Sequence, residues 1–364
     1  MPICKHRHLD GDRSMVEIMP TLHWLTHNDP KLKTYPFLSG HREKVARWFL
    51  KGGLHKNIVE KFKVTTGVMQ NPVTIYLAVE NFVVINGRQG FKGEFILAPQ
   101  YLVFGDHFCS RGTLDEKKVV EIIIAGIKEG ERKLRTEGIN ATFNMWFGIG
   151  REVSPEEAVR LTRIMLECDP GYVLGISLVC HEPSAPPEKF VDAFRLAKSE
   201  GRKTACHVEW VCDREEIEKN TPEKIYRNFQ KDLPQLTKNL TTAIHVLDVD
   251  QLDHGFGLAD NPELMKAVAD KSTVVTICPG SLLITGLIHN IRMLKIREML
   301  DAGILLCWDV DDDICMPVYD GLKQMYQGAY AYAKPSSMEN LDRLKEDLEK
   351  LERNAALALF GNRK

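Results

Sequence analysis

The chain has 364 residues, of which 44% are hydrophobic and 27% are charged. This composition is typical of a globular protein and excludes a disordered, collagenous or membrane chain. The 48 Lys and Arg residues nearly balance the 50 Asp and Glu residues, which argues against a basic nucleic-acid surface and a polybasic membrane anchor. No apolar stretch has the length of a membrane span, and the first residues lack the apolar core of a signal peptide.

The nine cysteines are odd in number, irregularly spaced and free of any Cys-x-x-Cys motif. This usage is typical of a reducing compartment and not of a disulfide framework. We therefore expect a cytoplasmic protein that has neither a nucleic acid nor a membrane as its partner. No partner protein is indicated by the sequence.

Eight short apolar or β-branched runs alternate with segments of helical periodicity. The runs lie at residues 3–6, 93–99, 140–148, 171–179, 202–209, 241–254, 272–279 and 303–310. Strands that alternate with helices pair in parallel through crossovers, and eight of them fit one (β/α)8 TIM barrel. An open doubly wound sheet is the alternative. No linker marks a second domain, so we expect residues 1–364 to form one barrel domain.

Three helices have clear start signals. The first opens at Thr113, with Glu116 as its capping-box partner. The second covers 154–166 and begins with Ser-Pro, and the third covers 186–201 and ends at a glycine.

Two segments exceed what a simple barrel needs. Residues 12–90 are predicted to be extra helices after the first strand, and residues 213–240 a charged, helical insertion after the fifth. Residues 337–360 are predicted to form a terminal amphipathic helix or helix pair.

Histidines, cysteines and acids follow four of the predicted strands. Functional groups of a parallel barrel lie at the carboxyl ends of its strands, so these residues are candidates for a site. They are His6 and His8 after the first strand, Cys206, His207 and Glu209 after the fifth, His254 after the sixth, and Asp309, Asp311, Asp312 and Asp313 after the eighth.

His6 and His8 are two residues apart on an extended segment, so both imidazoles face the same side. Such a pair can bind one metal ion, although a polar strand end is the alternative. Asp311 and one more nitrogen or thiolate would complete a catalytic zinc site that keeps an open position for water.

The acids after the eighth strand form a dense cluster that either is a solvated loop or needs a cation, because crowded carboxylates repel one another. His254 is either structural or orients a water molecule. Glu209, if burial raises its pKa, could protonate a ring nitrogen of a substrate.

These motifs resemble the adenosine/adenine deaminase family of the amidohydrolase barrels, in order and over nearly the whole chain. The segment 2–11 resembles the family's P-K-x-E-L-H-x-H-L-D-G. The segment 252–255 resembles R-[IL]-[GD]-H-G, and 278–286 is similar to C-P-W-S-S-x-L-T-G. Asp311 and Asp312 match the family's paired aspartates.

The resemblance implies one zinc ion per chain, bound by His6, His8 and Asp311. It implies that His254, with Asp312 as its partner, orients the attacking hydroxide, and that Asp10 contacts a ribose hydroxyl. The implied reaction is zinc-dependent hydrolytic deamination of an aminopurine, with adenosine favoured over adenine, and release of ammonia.

The chain departs from the family after the fourth, fifth and eighth strands. After the eighth, Asp309 and Asp313 stand where the family has Asn or Ser and Pro around its paired aspartates. The fifth-strand motif H-A-G-E aligns its histidine with Cys206 without a gap, or with His207 after a shift of one residue. Adjacent strand residues face opposite ways, so only one of the two can face inward. Cys180 replaces a glycine that lies against the purine in the family, and its side chain would crowd the base.

These departures keep two other interpretations open. One is a non-catalytic or redesigned relative of the deaminase barrel. The other is an amidohydrolase that acts on a different substrate.

Overall fold

The structure is a computed structural model that describes residues 3–25, 41–50, 58–103, 114–180, 182–209, 222–312, 314 and 338–361. One parallel sheet contains eight strands in sequential order. The strands are β1 (Ile3–Cys4), β2 (Lys92–Leu97), β3 (Phe143–Gly150), β4 (Val173–Val179), β5 (Lys203–His207), β6 (Gln251–Asp253), β7 (Val274–Ile277) and β8 (Leu305–Trp308). A parallel bridge between Arg7 and Asp311 brings the two ends of the sheet together. The predicted (β/α)8 fold is confirmed.

Helices connect the strands and surround the sheet. They are α1 (Ser14–Leu25), α2 (Arg42–Leu50), α3 (Ile58–Gly67), α4 (Pro72–Arg88), α5 (Gln100–Val103), α6 (Glu116–Thr136), α7 (Pro155–Leu166), α8 (Val191–Ser199), α9 (Pro222–Thr241), α10 (Pro262–Lys271), α11 (Pro279–Ile284), α12 (Ile296–Asp301) and α13 (Met338–Leu357). Among the described residues, 3-10 turns lie at Glu182–Ser184, Pro187–Phe190, Leu258–Asp260 and Ile291–Leu294, and a π-helical turn lies at Thr242–Val246.

The helices α1 to α4 follow β1, where extra helices are predicted. Among them, α4 packs closely against α6, because α6 has glycines at the contact. A Cβ atom on Gly126 or Gly130 would lie 2.8 or 2.6 Å from the Cβ atom of Val79 or Val83 in α4. Larger residues at these two positions would force the helices apart and expose the apolar face of α6.

Within the described residues, no single helix has the length and hydropathy that a membrane span requires. Glu60–Gly67 and Pro72–Arg88 meet that requirement only as a pair, with a bend of 111° between them.

Two of the three predicted helix starts, those at 154 and 186, can be compared with the structure. The helix predicted over 186–201 begins as the 3-10 turn at Pro187–Phe190 and continues as α8 (Val191–Ser199). The side chain of Ser154 accepts a hydrogen bond from the Glu157 amide at 3.2 Å, so α7 begins as predicted. The N-cap of α6 is Asp115, whose carboxylate accepts from the Lys118 amide at 2.7 Å. Thr113 lies outside the described residues.

The predicted sixth strand, 241–254, is wrong over residues 241–250. Helix α9 ends at Thr241 and continues into the π-helical turn, so only Gln251–Asp253 is a strand. Thr242, Ala243 and Ile244 are buried in this turn, and tertiary packing has overridden the β propensity of the segment. For the insertion after β5, the structure describes α9, while residues 210–221 lie outside the described residues.

The Asp309 side chain joins the last strand to the first. Its Oδ2 accepts hydrogen bonds from the backbone amides of Lys5 and His6 at 2.7 and 3.0 Å. Its Oδ1 accepts from the Cys4 thiol at 2.9 Å. The Asp309 carboxylate therefore supplies hydrogen-bond acceptors where the chain bends after β1. This member of the acidic cluster thus has a structural role.

The segment after α13 covers the amino-terminal ends of the strands. The amide of Phe360 donates to Glu94 Oε1 at 2.8 Å, and the ammonium of Lys5 pairs with the same carboxylate. Lys5 Nζ also donates to the Ala358 carbonyl at 2.9 Å and lies 4.1 Å from the centre of the Phe360 ring. Trp146 Nε1 donates to Glu94 Oε2 at 3.0 Å. The buried charges at this end of the barrel are thus satisfied within the protein.

Candidate active site

Four histidines meet at the carboxyl-terminal ends of β1, β5 and β6. The ring centre of His6 lies 5.4 Å from that of His8, 4.7 Å from that of His207 and 4.6 Å from that of His254. His6 is completely buried, and His8 is 16% exposed. The same-side geometry predicted for His6 and His8 agrees with this placement.

Two overlapping groups could bind a metal ion. One contains His6, His8 and His207, and the other contains His6, His254 and Asp311. In each group the potential ligand atoms lie within 4.8 Å of one another. Asp311 Oδ1 is 3.5 Å from Nε2 of both His6 and His8. The sequence prediction of histidines and one aspartate around a common centre therefore has a geometric counterpart.

The buried nitrogens of this cluster fit a cation. Nε2 of His6 and Nε2 of His207 are buried and have no hydrogen-bond partner among the described residues. Leaving buried polar atoms unpaired is costly, so unpaired imidazole nitrogens that face a carboxylate indicate a site for a ligand. Two imidazole nitrogens and a carboxylate oxygen are donors that zinc commonly binds.

Cys206 and His207 face different surroundings, as the alternation of β5 requires. His207 faces the histidine cluster, while Cys206 Sγ lies 3.7 Å from Nη2 of Arg151. Burial raises the pKa of Cys206 to about 12, so the thiol keeps its proton, whereas metal ligation needs a thiolate. Cys206 belongs to neither of the two groups formed by the described residues.

Left-handed backbone turns the side chains at three strand ends. Cys180, His254 and Asp311 have φ values of 71°, 64° and 57°, a region that non-glycine residues seldom adopt. His254 directly follows Asp253, and this turn allows both side chains to face the cluster. Strained residues of this kind concentrate at functional sites.

Glu209 lies beside His254, with Oε2 3.0 Å from His254 Nδ1. Burial, followed by the charges of Asp311 and Glu182, raises the pKa of Glu209 well above its ordinary value. Burial at this position therefore favours the protonated form of the carboxyl group. The Glu209 amide donates to Glu182 Oε2 at 3.0 Å, which fixes the backbone at the end of this strand.

Burial lowers the pKa of His8 to about 4 and that of His254 to about 3, and it also lowers the pKa of His207. These imidazoles are neutral at physiological pH, which is the form that binds metal. His6 differs: its burial also acts to lower the pKa, but Cys278 and Asp253 raise it above the ordinary value.

The remaining predicted residues lie around the same barrel mouth. Asp312 follows Asp311 and packs so closely on Gly11 that a Cβ atom at Gly11 would overlap its carboxylate. Asp10 is buried, and burial raises its pKa to about 6. Cys180 follows β4, is exposed, and has its sulfur 3.1 Å from the Tyr101 hydroxyl. Asp313 lies outside the described residues.

Sequence reasoning missed two buried residues that support this cluster. Asp253 is completely buried and lies 3.1 Å from His6 Nδ1. Arg151 donates to the carbonyl oxygens of His207 and Ala185. A signal for Asp253 was available: Gln251 and Asp253 are two polar residues on one face of β6, so this face of the strand contacts polar groups.

A family model described as adenosine deaminase matches residues 236–359. An adenine deaminase of Psychrobacter cryohalolentis is 26% identical over 241 residues, which are 66% of this chain and 62% of that protein. The chain spans between 34% and 62% of the length of the first three curated relatives that it matches.

Two solved structures show the same fold. The adenine deaminase of Arthrobacter aurescens superposes with a TM-score of 0.72 at 16% identity, over 99% of this chain and 94% of that chain. An amidohydrolase of Burkholderia ambifaria with bound zinc superposes with a TM-score of 0.70 at 18% identity, over 98% and 85% of the two chains. Together with the motifs, these matches show that the chain is similar to adenosine and adenine deaminases, and that it shares the fold of the two solved structures.

Proposed function

We propose that this protein is a zinc-dependent hydrolase that deaminates an aminopurine. The observation that carries the proposal is the meeting of four imidazoles, the Asp311 carboxylate and the buried Glu209 carboxyl at one end of the barrel. The overall reaction replaces the exocyclic amino group by an oxygen from water and releases ammonia.

His6, His8, His207 and Asp311 would hold the metal ion. The unpaired Nε2 atoms of His6 and His207 and the neutral state of His8 and His207 support this assignment. Bound zinc would lower the pKa of a water molecule to about 7. His207 takes the place of the family's third histidine, and Cys206 is assigned a structural role against Arg151.

Glu209 acts as the general acid in this proposal. Its protonated carboxyl can donate a proton to the ring nitrogen next to the amine-bearing carbon, which makes this carbon more electrophilic. Its contact with His254 positions the group at the cluster. Glu209 is two residues after His207, so the two side chains share one face of the extended segment.

His254 and Asp312 orient the attacking water and accept its proton. The low pKa of His254 leaves this imidazole neutral and able to accept a hydrogen bond. The close contact between Gly11 and Asp312 fixes the segment after β1 against the end of β8, so a side chain at residue 11 would displace the carboxylate.

Two observations bear on the choice of aminopurine. Asp10 would bind a ribose hydroxyl, which favours adenosine, while the name of the Psychrobacter relative favours adenine. Cys180 would lie near the base, and its side chain limits the space there.

The test combines metal analysis with turnover. The protein, expressed with added zinc, should contain one zinc per chain, and it should release ammonia from adenosine or adenine with loss of the substrate's absorbance. Comparing kcat/KM for the two substrates decides between them. Zinc-loaded protein that turns over neither compound would refute the proposed substrate class.

A further inference from the structure

The Asp253 carboxylate lies beneath the histidine cluster, and none of its surface is exposed. Its Oδ1 accepts hydrogen bonds from the Thr276 hydroxyl at 2.9 Å and from Gln251 Nε2 at 2.8 Å. The Ser177 hydroxyl donates to Oδ2 at 3.4 Å. Three polar side chains from three strands thus hold one carboxylate in place.

The same carboxylate faces the ring of His6. Nδ1 of His6 lies 3.1 Å from Asp253 Oδ1 and 3.0 Å from the Thr276 hydroxyl oxygen. The other ring nitrogen, Nε2, has no hydrogen-bond partner in the part of the chain that the structure describes, and it lies 3.5 Å from Asp311 Oδ1. One nitrogen of His6 is therefore occupied by the protein, and the other is directed at the proposed metal position.

An imidazole can bind a metal through one nitrogen while the other donates its proton to an acceptor. The acceptor then fixes both the tautomer and the orientation of the ring. A buried carboxylate is a strong acceptor for this purpose, because a hydrogen bond to a charged group is roughly twice as strong as a neutral one.

We propose that Asp253 is a positioning residue for the metal ion: it holds His6 with Nδ1 protonated and Nε2 free to bind the metal. This inference rests on the proposed function, since it takes His6 as a metal ligand. Gln251 holds Asp253 in place, and Thr276 both holds Asp253 and contacts Nδ1 of His6.

The second oxygen of Asp253 extends this role to another strand. Oδ2 is 3.7 Å from Nε2 of His207, which is too far for a hydrogen bond but close enough for an electrostatic interaction. The negative charge of Asp253 thus lies next to two of the proposed ligands and would strengthen the binding of a cation by both.

The test is the zinc affinity of the Asp253→Asn variant, measured by competition with a chelator. Asparagine preserves the size of the side chain but removes the charge, and its oxygen cannot replace both carboxylate oxygens. We expect zinc binding to weaken by about 10- to 100-fold. The visible spectrum of the cobalt-substituted protein should also change, because it reports the arrangement of the ligands and not the stability of the fold.

A second variant keeps the inference testable if Asp253→Asn does not fold. Thr276→Val retains the carboxylate but removes one of its donors and a contact to His6, so zinc affinity should fall by a smaller factor. Thr162→Val is the matched control, because Thr162 is also buried and bonded, to the Ala158 carbonyl at 2.8 Å, but it lies in α7. This control should bind zinc as the wild type does.

The inference is overturned if a folded Asp253→Asn or Thr276→Val variant has the wild-type zinc affinity and the wild-type cobalt spectrum. Failure of the proposed function would differ, because the unmodified protein would then not bind zinc, or His6→Ala would bind it as tightly as the wild type.

Discussion

The two ends of the barrel both contain buried charged groups, but they use them differently. At the amino-terminal end, Lys5, Glu94 and the Phe360 amide satisfy one another, and the segment after α13 covers them. At the carboxyl-terminal end, His6 and His207 have buried nitrogens that form no hydrogen bond to any described residue. The first arrangement is satisfied by the protein's own groups, whereas the second offers donor atoms for the proposed metal ion.

The difference shows that burial of charge alone does not identify a functional site. Asp309 and Asp311 are two residues apart and both buried, yet Asp309 accepts three hydrogen bonds from β1 and the residues that follow it, while Asp311 faces two histidines. The partner of each group, and not its charge, decides whether it serves the fold or the chemistry.

The largest effect is expected from removing a proposed ligand at the carboxyl-terminal end. His207→Ala should weaken zinc binding by more than about 100-fold, since even residues that only support a ligand contribute about 10- to 100-fold. Cys206→Ala, the adjacent control, should leave zinc affinity near the wild-type value. Chelator competition measures both, and the reverse order would assign the ligand to Cys206.

Glu209→Gln tests the proton donor at the same end. Removing it should lower kcat by about 10²- to 10⁴-fold, the range for general acid–base catalysis, with zinc content unchanged. Glu152→Gln, which changes an exposed carboxylate after β3, should leave kcat near wild type. Equal losses in the two variants would contradict the role given to Glu209.

Lys5→Met tests the buried ion pair at the amino-terminal end of the barrel. It leaves the buried Glu94 carboxylate without its cation, and breaking a buried pair costs about 3–5 kcal/mol. The free energy of unfolding in urea measures this loss. Lys203→Met is the control: its ammonium also lies over Phe360, but it pairs with the partly exposed Asp250. An equal loss of unfolding free energy in the control would show that the buried Lys5–Glu94 pair stabilises the protein no more than the partly exposed pair does.

Phe360→Leu should have the smallest effect. It removes the contact of the ring with the Lys5 ammonium and its edge contact with Trp146, with a cost of about 0.5–2 kcal/mol in unfolding free energy. Zinc affinity should not change, because this end contributes no proposed ligand. A parallel fall in zinc affinity would show that the two ends are coupled.

The sequence predicted the eight strands and the candidate residues at their ends, because strand periodicity and the placement of polar residues after strands are local signals. The choice between Cys206 and His207 could not be made from the sequence, because it depends on which residues of β5 face inward. Pairing with β4 and β6 sets this, and it is a tertiary property.

The structural roles of Asp253 and Asp309 were not predicted, for a related reason. Asp253 would be expected to face away from its neighbour His254, but the left-handed backbone at His254 brings both inward. Asp309 is part of an acidic run, and its partners are more than 300 residues away in the chain. No local pattern indicates either arrangement.

The hydrogen bonds of Asp309 also bear on how the protein acquires its site during synthesis. His6 and His8 are made first, but the carboxylate that fixes the bend at His6 and the Asp311 that faces both rings are made about 300 residues later. Contacts this distant in sequence are slow to form. The metal site is therefore expected to mature late, after the ribosome has completed β8, and a nascent chain that stops before β8 should bind zinc poorly even when its first seven strands have formed.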